Sequence, residues 1–262
     1  MEKRELVSKS NRLVEASYRL SLNEQRIVLY AICRSREEQK GFTSDQPIVI
    51  TAEAFSHQFP NVDSSHVYRQ LKEAMDALYD RSVTLYETDE DTGKEQVSKT
   101  RWISKASYVD GAGRIKVVFT SDVIKYFTRL EKQFTSYELE KVGSMTSAYA
   151  VRFYELLNQH KKIGNRTINL KWLREMFQLE PNEYKLTADF IKRVIDPSVE
   201  QINKHSDLLV SYKTVKTGRP ITDFVFKIKE KNTTPSDQAY REQLEARGQQ
   251  RIDSQKNEEE DF

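Results

Sequence analysis

Apolar positions recur at helical intervals through Ile27, Val28, Ala31 and Ile32, behind a Ser21 and Glu24 pair with capping-box spacing. This pattern predicts a helix from Ser21 to about Arg36. A turn around Gly41 and a short strand, Pro47 to Ile50, lead to Thr51, which can cap a helix carrying Phe55 and Phe59 on one face. Asp63 or Ser64 then caps a helix with Val67, Leu71, Ala74, Met75 and Leu78 in one stripe, leaving Ser65, His66, Arg69, Lys72 and Asp76 toward solvent. At Val83 the period changes to two. Val83 and Leu85 read as a strand and Asp91-Thr92-Gly93 as a turn. Arg101 to Val109 reads as a second strand carrying Trp102, and Gly111-Ala112-Gly113 turns the chain into Ile115, Val117 and Phe119. Helix, strand, helix, helix, hairpin is the order of a winged helix-turn-helix, an order that ordinary α+β domains also show.

The same order then returns. A helix from about Thr146 to His160 places Ala150, Phe153 and Leu157 on one face, a strand spans Thr167 to Leu170, and a short helix repeats the Phe55/Phe59 pair as Leu173 and Phe177. After Pro181 and Asn182 comes a helix with Phe190, Val194 and Ile202 near its buried side, then strands around Leu208 to Val215 and Ile221 to Ile228 joined by Thr217-Gly218-Arg219-Pro220. Pro197 removes a donor inside that helix, so a kink or break is expected there and any base reading belongs to the half before it. The fold class that follows is α+β, two tandem winged-helix domains.

Composition narrows the setting. The chain has 262 residues, 37% hydrophobic and 31% charged, enough for two ordinary domains, and no apolar run approaches the roughly 20 residues needed to span a bilayer. Met1 to Ser10 is charged and lacks the apolar stretch of a secretory signal, and the single cysteine, Cys33, cannot build a disulfide framework, so a cytoplasmic setting is expected. Net charge is only +2, but residues 138–230 hold 16 Lys and Arg against 12 Asp and Glu, whereas residues 231–262 hold 5 against 8 and end in Glu258, Glu259, Glu260 and Asp261. The expected organisation is an N-terminal domain over 1–136, a C-terminal domain over 137–230 and a disordered acidic tail over 231–262.

Catalytic and metal sites find little support. His57, His66, His160 and His205 are scattered, and none forms the His-Glu-x-x-His spacing of a zinc hydrolase. Gly93-Lys94 lacks an upstream glycine at phosphate-loop spacing and is followed by Glu95. His57-Gln58-Phe59 lacks the second histidine of a rolling-circle nicking enzyme. His66-Val67-Tyr68-Arg69 matches the short His-x-x-Arg element of tyrosine recombinases, but no other recombinase element is recognisable, which favours a helix with Val67 in the core and the other three residues on or near its solvent side. The basic residues make the stronger pattern. Lys185, Lys192 and Arg193 occupy the leading end and polar side of the second helix of the second repeat, where a helix-turn-helix reads the major groove. Lys213, Lys216 and Arg219 lie along the following hairpin, a wing position. In the first repeat Ser65, His66, Arg69 and Lys72 on the helix and Lys94, Lys99 and Arg101 on the hairpin repeat this layout, diluted by Glu87, Asp89, Glu90 and Asp91, which favours phosphate contacts over base reading.

With these residues in place, the stretch Val7-Ser8-Lys9-Ser10-Asn11-Arg12-Leu13-Val14-Glu15-Ala16-Ser17-Tyr18-Arg19-Leu20-Ser21-Leu22-Asn23-Glu24-Gln25-Arg26 resembles the N-terminal signature of the iteron-binding replication initiators of theta-replicating bacterial plasmids. Phe134-Thr135 with Tyr137, the run Ser147 to Leu157, Asp189-Phe190 and Glu200-Gln201-Ile202-Asn203 extend the likeness over about residues 6 to 230. The resemblance implies a C-terminal winged helix that dominates base readout through Lys185 to Arg193, a stretch that includes Thr187 and Asp189, with Ile191 departing from a more basic pattern. It implies an N-terminal winged helix that adds DNA contacts and dimerises. It implies double-stranded DNA as partner, with monomers on iterons and dimers on an operator inverted repeat that represses the protein's own gene. The host initiator and the replicative helicase are further implied partners; no cofactor, metal or catalysis is implied. A double winged-helix transcriptional regulator is the competing reading.

Overall fold

A computed structural model describes residues 5–37, 43–63, 65–89, 91–109, 111–127 and 133–231 of the chain. The turn at Gly41, the cap at Ser64, the acidic Glu90 and the tail from 232 onward lie outside them.

The first winged helix begins with strand β1 (Leu6–Ser10) and a single turn α1 (Asn11–Val14). Helix α2 (Leu22–Glu37) starts at the capping box read from the sequence, Ser21 N–H donating to Glu24 at 2.8 Å and Glu24 N–H to Ser21 Oγ at 3.3 Å. Then come β2 (Ile48–Thr51), α3 (Ala52–Gln58) capped by the Thr51 hydroxyl, and α4 (Val67–Asp80), whose Val67, Leu71, Ala74, Met75 and Leu78 are buried as its periodicity requires.

The hairpin that follows departs from the sequence reading. The span Arg101 to Val109 is not one strand. β3 (Ser82–Thr88) pairs with β4 (Glu95–Arg101), and after the fully buried Trp102 a new strand, β5 (Ile103–Tyr108), pairs with β6 (Arg114–Phe119). The physical reason is Trp102: its ring packs edge-on against Tyr18 at 4.9 Å and alongside Phe127, so the chain turns through the core there and changes partner. The order β2-β6-β5, first strand beside third, is the winged-helix sheet, and β3–β4 is an inserted hairpin. A turn α5 (Ser121–Ile124) and β7 (Phe134–Glu138) complete this half. β7 pairs antiparallel with β1, Val7 opposite Tyr137, and the expected domain boundary at 136/137 falls inside this strand.

After a turn α6 (Glu140–Gly143), the second winged helix runs α7 (Ala148–Asn158), β8 (Asn165–Asn169), α8 (Leu170–Met176), α9 (Thr187–Phe190), a π-helical turn Ile191–Ile195, α10 (Asp196–His205), β9 (Leu208–Lys216) and β10 (Ile221–Glu230). Its sheet order, β8-β10-β9, repeats that of the first. Phe153, Phe177, Phe224 and Phe226 form an aromatic core, each burial contributing roughly 1.5–3 kcal/mol. Pro197 neither breaks nor sharply ends the helix. Asp196 N–H reaches back to Ile191 O, widening the turn before the proline, and the Ser198 hydroxyl donates to Val194 O at 2.6 Å.

The two winged helices meet along a seam made largely by the signature stretch. Lys9 and Glu155 pair at 2.7 Å with both side chains almost fully buried, and the Tyr137 hydroxyl donates to the same carboxylate at 2.5 Å. Burial, then the Glu155 charge, pushes the Tyr137 hydroxyl well above its ordinary pKa. Arg152 lies 3.4 Å over the Tyr18 ring and donates to Ala16 O at 2.9 Å. Arg26 donates to Met145 O at 3.2 Å, and burial draws its pKa down to about 10. Arg166 closes on Glu15 at 2.6 Å. Removing one partner of the buried Lys9–Glu155 pair leaves an uncompensated charge, a loss of about 3–5 kcal/mol, and with the other contacts it ties the two DNA-facing elements into one body.

Candidate nucleic-acid interface

In the second winged helix the predicted residues gather on one exposed surface. Lys192 and Arg193 stand on the π turn with their side chains in solvent, and Lys185 is exposed just ahead of α9. Thr187 and Asp189 occupy the first turn and are half-buried. Every residue from Lys213 to Pro220 is exposed, because β9 and β10 outrun the core after Tyr212, so Lys213, Lys216 and Arg219 ride on a protruding wing. Gly218 turns the wing at φ +70°, with Thr217 N–H bonded to Pro220 O at 3.2 Å. No described carboxylate pairs with Lys185, Lys192, Arg193, Lys213, Lys216 or Arg219. Asp196, three residues beyond Arg193, accepts instead from the Tyr212 hydroxyl at 2.5 Å.

The segment leading into this helix is held from behind. Arg174 donates to the carbonyls of Glu183 and Tyr184 at 2.6 and 3.1 Å, and Arg19, from the signature stretch, grips the Glu183 carboxylate with both terminal nitrogens at 2.6 and 2.7 Å. The Arg19 hydrogen bond, with the Glu180 N–H, holds the Glu183 carboxyl below its usual pKa. Arg19 and Glu183 were not singled out by charge or periodicity; their pairing spans 164 residues of chain, so no local signal marks it.

In the first winged helix Ser65, His66, Arg69, Lys72 and Arg101 are engaged with their own domain. Ser65 and His66 precede α4 rather than lying on its outer face, a correction to the sequence reading, and both turn to Asp63: Ser65 Oγ at 2.6 Å and His66 Nδ1 at 3.0 Å. Hydrogen bonds from Ser65, then from His66, bring the Asp63 carboxyl down to about 2. Arg69 lies 3.8 Å from Glu73, and Lys72 sits 4.0 Å over the Tyr108 ring. Lys99 and Arg101 are on the inserted β3–β4 hairpin rather than on the wing, as is the β4-flanking Lys94; Arg101 folds back to Tyr79 O at 2.8 Å and Asp80 at 3.3 Å. The structural wing is β5–β6, and its exposed basic residues are Lys105, Arg114 and Lys116, which the sequence reading passed over. Alternation of Arg114 and Lys116 with buried Ile115 and Val117 beside the Gly111-Gly113 turn is the signal that marks them.

His66 and Arg69 are thus held by different carboxylates, Asp63 and Glu73. Among the described residues no group of three or more His, Cys, Asp or Glu could hold a metal ion, and no helix is long and apolar enough to cross a membrane.

A protein from Escherichia coli, described as an uncharacterized 27.6 kDa protein, is 26% identical over 238 residues, covering 88% of this chain and 97% of that protein. The crystal structure of Pi initiator protein in complex with iteron DNA matches with a TM-score of 0.71 and 19% identity, covering 89% of this chain and all of that one (100%). The WH1 domain of MSBI1.176, a replication protein isolated from a multiple sclerosis patient, is 35% identical over 45% of this chain and 88% of that one, with a TM-score of 0.37. Residues 6–158 match the family model for the Initiator Replication protein WH1 domain and residues 169–228 the model for the Initiator Rep protein WH2 domain. The chain belongs to this family of replication initiator proteins, and its two winged helices are the family's WH1 and WH2.

Proposed function

We propose that this protein initiates plasmid replication by binding directly repeated origin sequences, iterons, with its second winged helix in the major groove. The observation that carries this reading is the set of six uncommitted cations on one helix and its wing: Lys185, Lys192, Arg193, Lys213, Lys216 and Arg219. Arg and Lys on the helix suit the O6 and N7 acceptors of guanine, Asp189 suits the cytosine amino group, and the wing cations suit phosphates. The first winged helix adds backbone contacts through Arg69, Lys72 and Lys99 and the subunit contacts of a dimer.

The work done is mechanical rather than catalytic. Several monomers bound in phase bend the duplex, and sequence-dependent deformability decides where an adjacent AT-rich region opens and the host initiator and helicase load. Dimers bind an inverted repeat and repress the gene. The setting is the bacterial cytoplasm, on the plasmid. Selection of bound sequences from random duplex DNA, with titration across salt, tests this: a site of about two helical turns bound at least 10³-fold tighter than a scrambled control is expected. Tandem copies of that site at an origin, and replication that depends on them, separate an initiator from a transcriptional regulator. Binding that tracks salt alone overturns the proposal.

A further inference from the structure

The exposed start of the recognition helix carries a side chain that helix stability does not explain. Leu186 is the N-cap of α9, with extended backbone (φ −85°, ψ 131°) and no side-chain cap hydrogen bond. At other helix starts of this chain Ser21, Thr51, Ser147 and Asn169 each accept a first-turn N–H, whereas His66, Thr120 and Leu139, like Leu186, make no side-chain cap bond. Leu186 is 65% exposed, the most exposed leucine among the described residues. Its position is nonetheless rigid. The preceding residues are clamped by Arg174 and by the Arg19–Glu183 bridge, and Tyr184 is held in the left-handed region at φ 46° with its ring 6.2 Å from Phe190. A large apolar side chain therefore stands in solvent, on a backbone bonded from behind, directly beside Lys185 and three residues before Asp189.

Among the groups that base pairs present in the major groove, the thymine C5-methyl is the apolar one. We infer that Leu186 is a specificity-determining residue that packs on a thymine methyl in the recognised site. The inference rests on the proposal that this helix enters the major groove. It accounts for an apolar side chain left exposed, on a backbone held from behind, at the start of the helix that carries Lys192 and Arg193.

The test replaces each thymine of the selected site in turn by deoxyuridine, which removes the methyl and leaves every hydrogen-bonding group. The full-length wild type is expected to lose about 3- to 10-fold in affinity at one or two thymines, and Leu186→Ala to bind the thymine and uracil versions of those sites equally. Leu186→Ser supplies the missing cap; it is expected to keep or raise the melting temperature while losing the same discrimination, which separates reading from folding. A selected site with no methyl-sensitive thymine, an unchanged thymine preference in Leu186→Ala, or a Leu186→Ala defect seen on tandem sites but not on one isolated site overturns the inference, the last pointing to contact between neighbouring protein copies. Absence of any selected sequence would instead remove the major-groove reading itself.

Discussion

In WH2, Lys192 and Arg193 extend from a widened helical turn with no carboxylate beside them, whereas in WH1 the corresponding Ser65, His66, Arg69 and Lys72 are turned to Asp63, Glu73 and the Tyr108 ring. Both helices are similarly polar in sequence. The difference lies in what each cation touches, and it teaches that a count of basic residues on a predicted recognition helix says less than the availability of each. An exposed i, i+4 pair such as Arg69–Glu73 is worth about 0.3–0.5 kcal/mol, so DNA can displace it at small cost; the α4 face of WH1 is dimmed as a DNA surface rather than blocked.

The strongest way to break this comparison is to truncate the free cations. Lys192→Ala or Arg193→Ala is expected to cost about 1–3 kcal/mol on the selected site and to relax specificity, read by fluorescence anisotropy against selected and scrambled duplexes. Equal losses on both duplexes would show that these side chains do not read bases. Lys216→Ala is expected to weaken all duplexes alike and to lower the slope of log affinity against log salt by about one unit, because the wing meets phosphates. In WH1, Arg101→Ala is expected to cost about 1 kcal/mol of folding stability through the lost Tyr79 carbonyl bond, seen as a lower denaturation midpoint, while DNA affinity moves by less than tenfold. A DNA loss as large as that of Arg193→Ala would place Arg101 in the reading head.

The smallest effect concerns pH. Burial, then the Arg166 charge, lowers the His160 pKa below 6.5, so the folded state resists a proton that the unfolded chain accepts. Its contribution to stability is therefore present above about 6.5 and is lost as pH falls from there toward the lowered value. Urea midpoints between pH 5.5 and 7.5 should decline toward acid, and His160→Gln should flatten that decline; an unaltered slope would assign it to other groups.

Much of the fold was legible because the period of apolar residues changes wherever the element type does. The Ser21–Glu24 box, the Val67-to-Leu78 stripe and the paired Phe55/Phe59 and Leu173/Phe177 all stand where the pattern puts them. The inserted hairpin was not legible, since alternation runs on through Arg101, Trp102 and Ile103 and only the tertiary burial of Trp102 splits it. Of the candidate site, the WH2 cations were readable from spacing alone. The Arg19–Glu183 bridge and the Leu186 cap were not, because one depends on a distant partner and the other on exposure.

The pairing of β1 with β7 has a consequence for synthesis. Ser8 and Ser136, bonded side chain to side chain, are 128 residues apart, and at roughly 5–20 residues per second the first strand leaves the ribosome about 6–25 s before its partner exists. Lys9 waits longer still, for Glu155 on the far side of the seam. During that interval Val7 and the edge of β1 are open to any other unpaired strand, including another nascent copy. The opening residues of this chain are thus the first made and among the last to be folded, and a fragment that stops before β7 would carry them permanently in that open state.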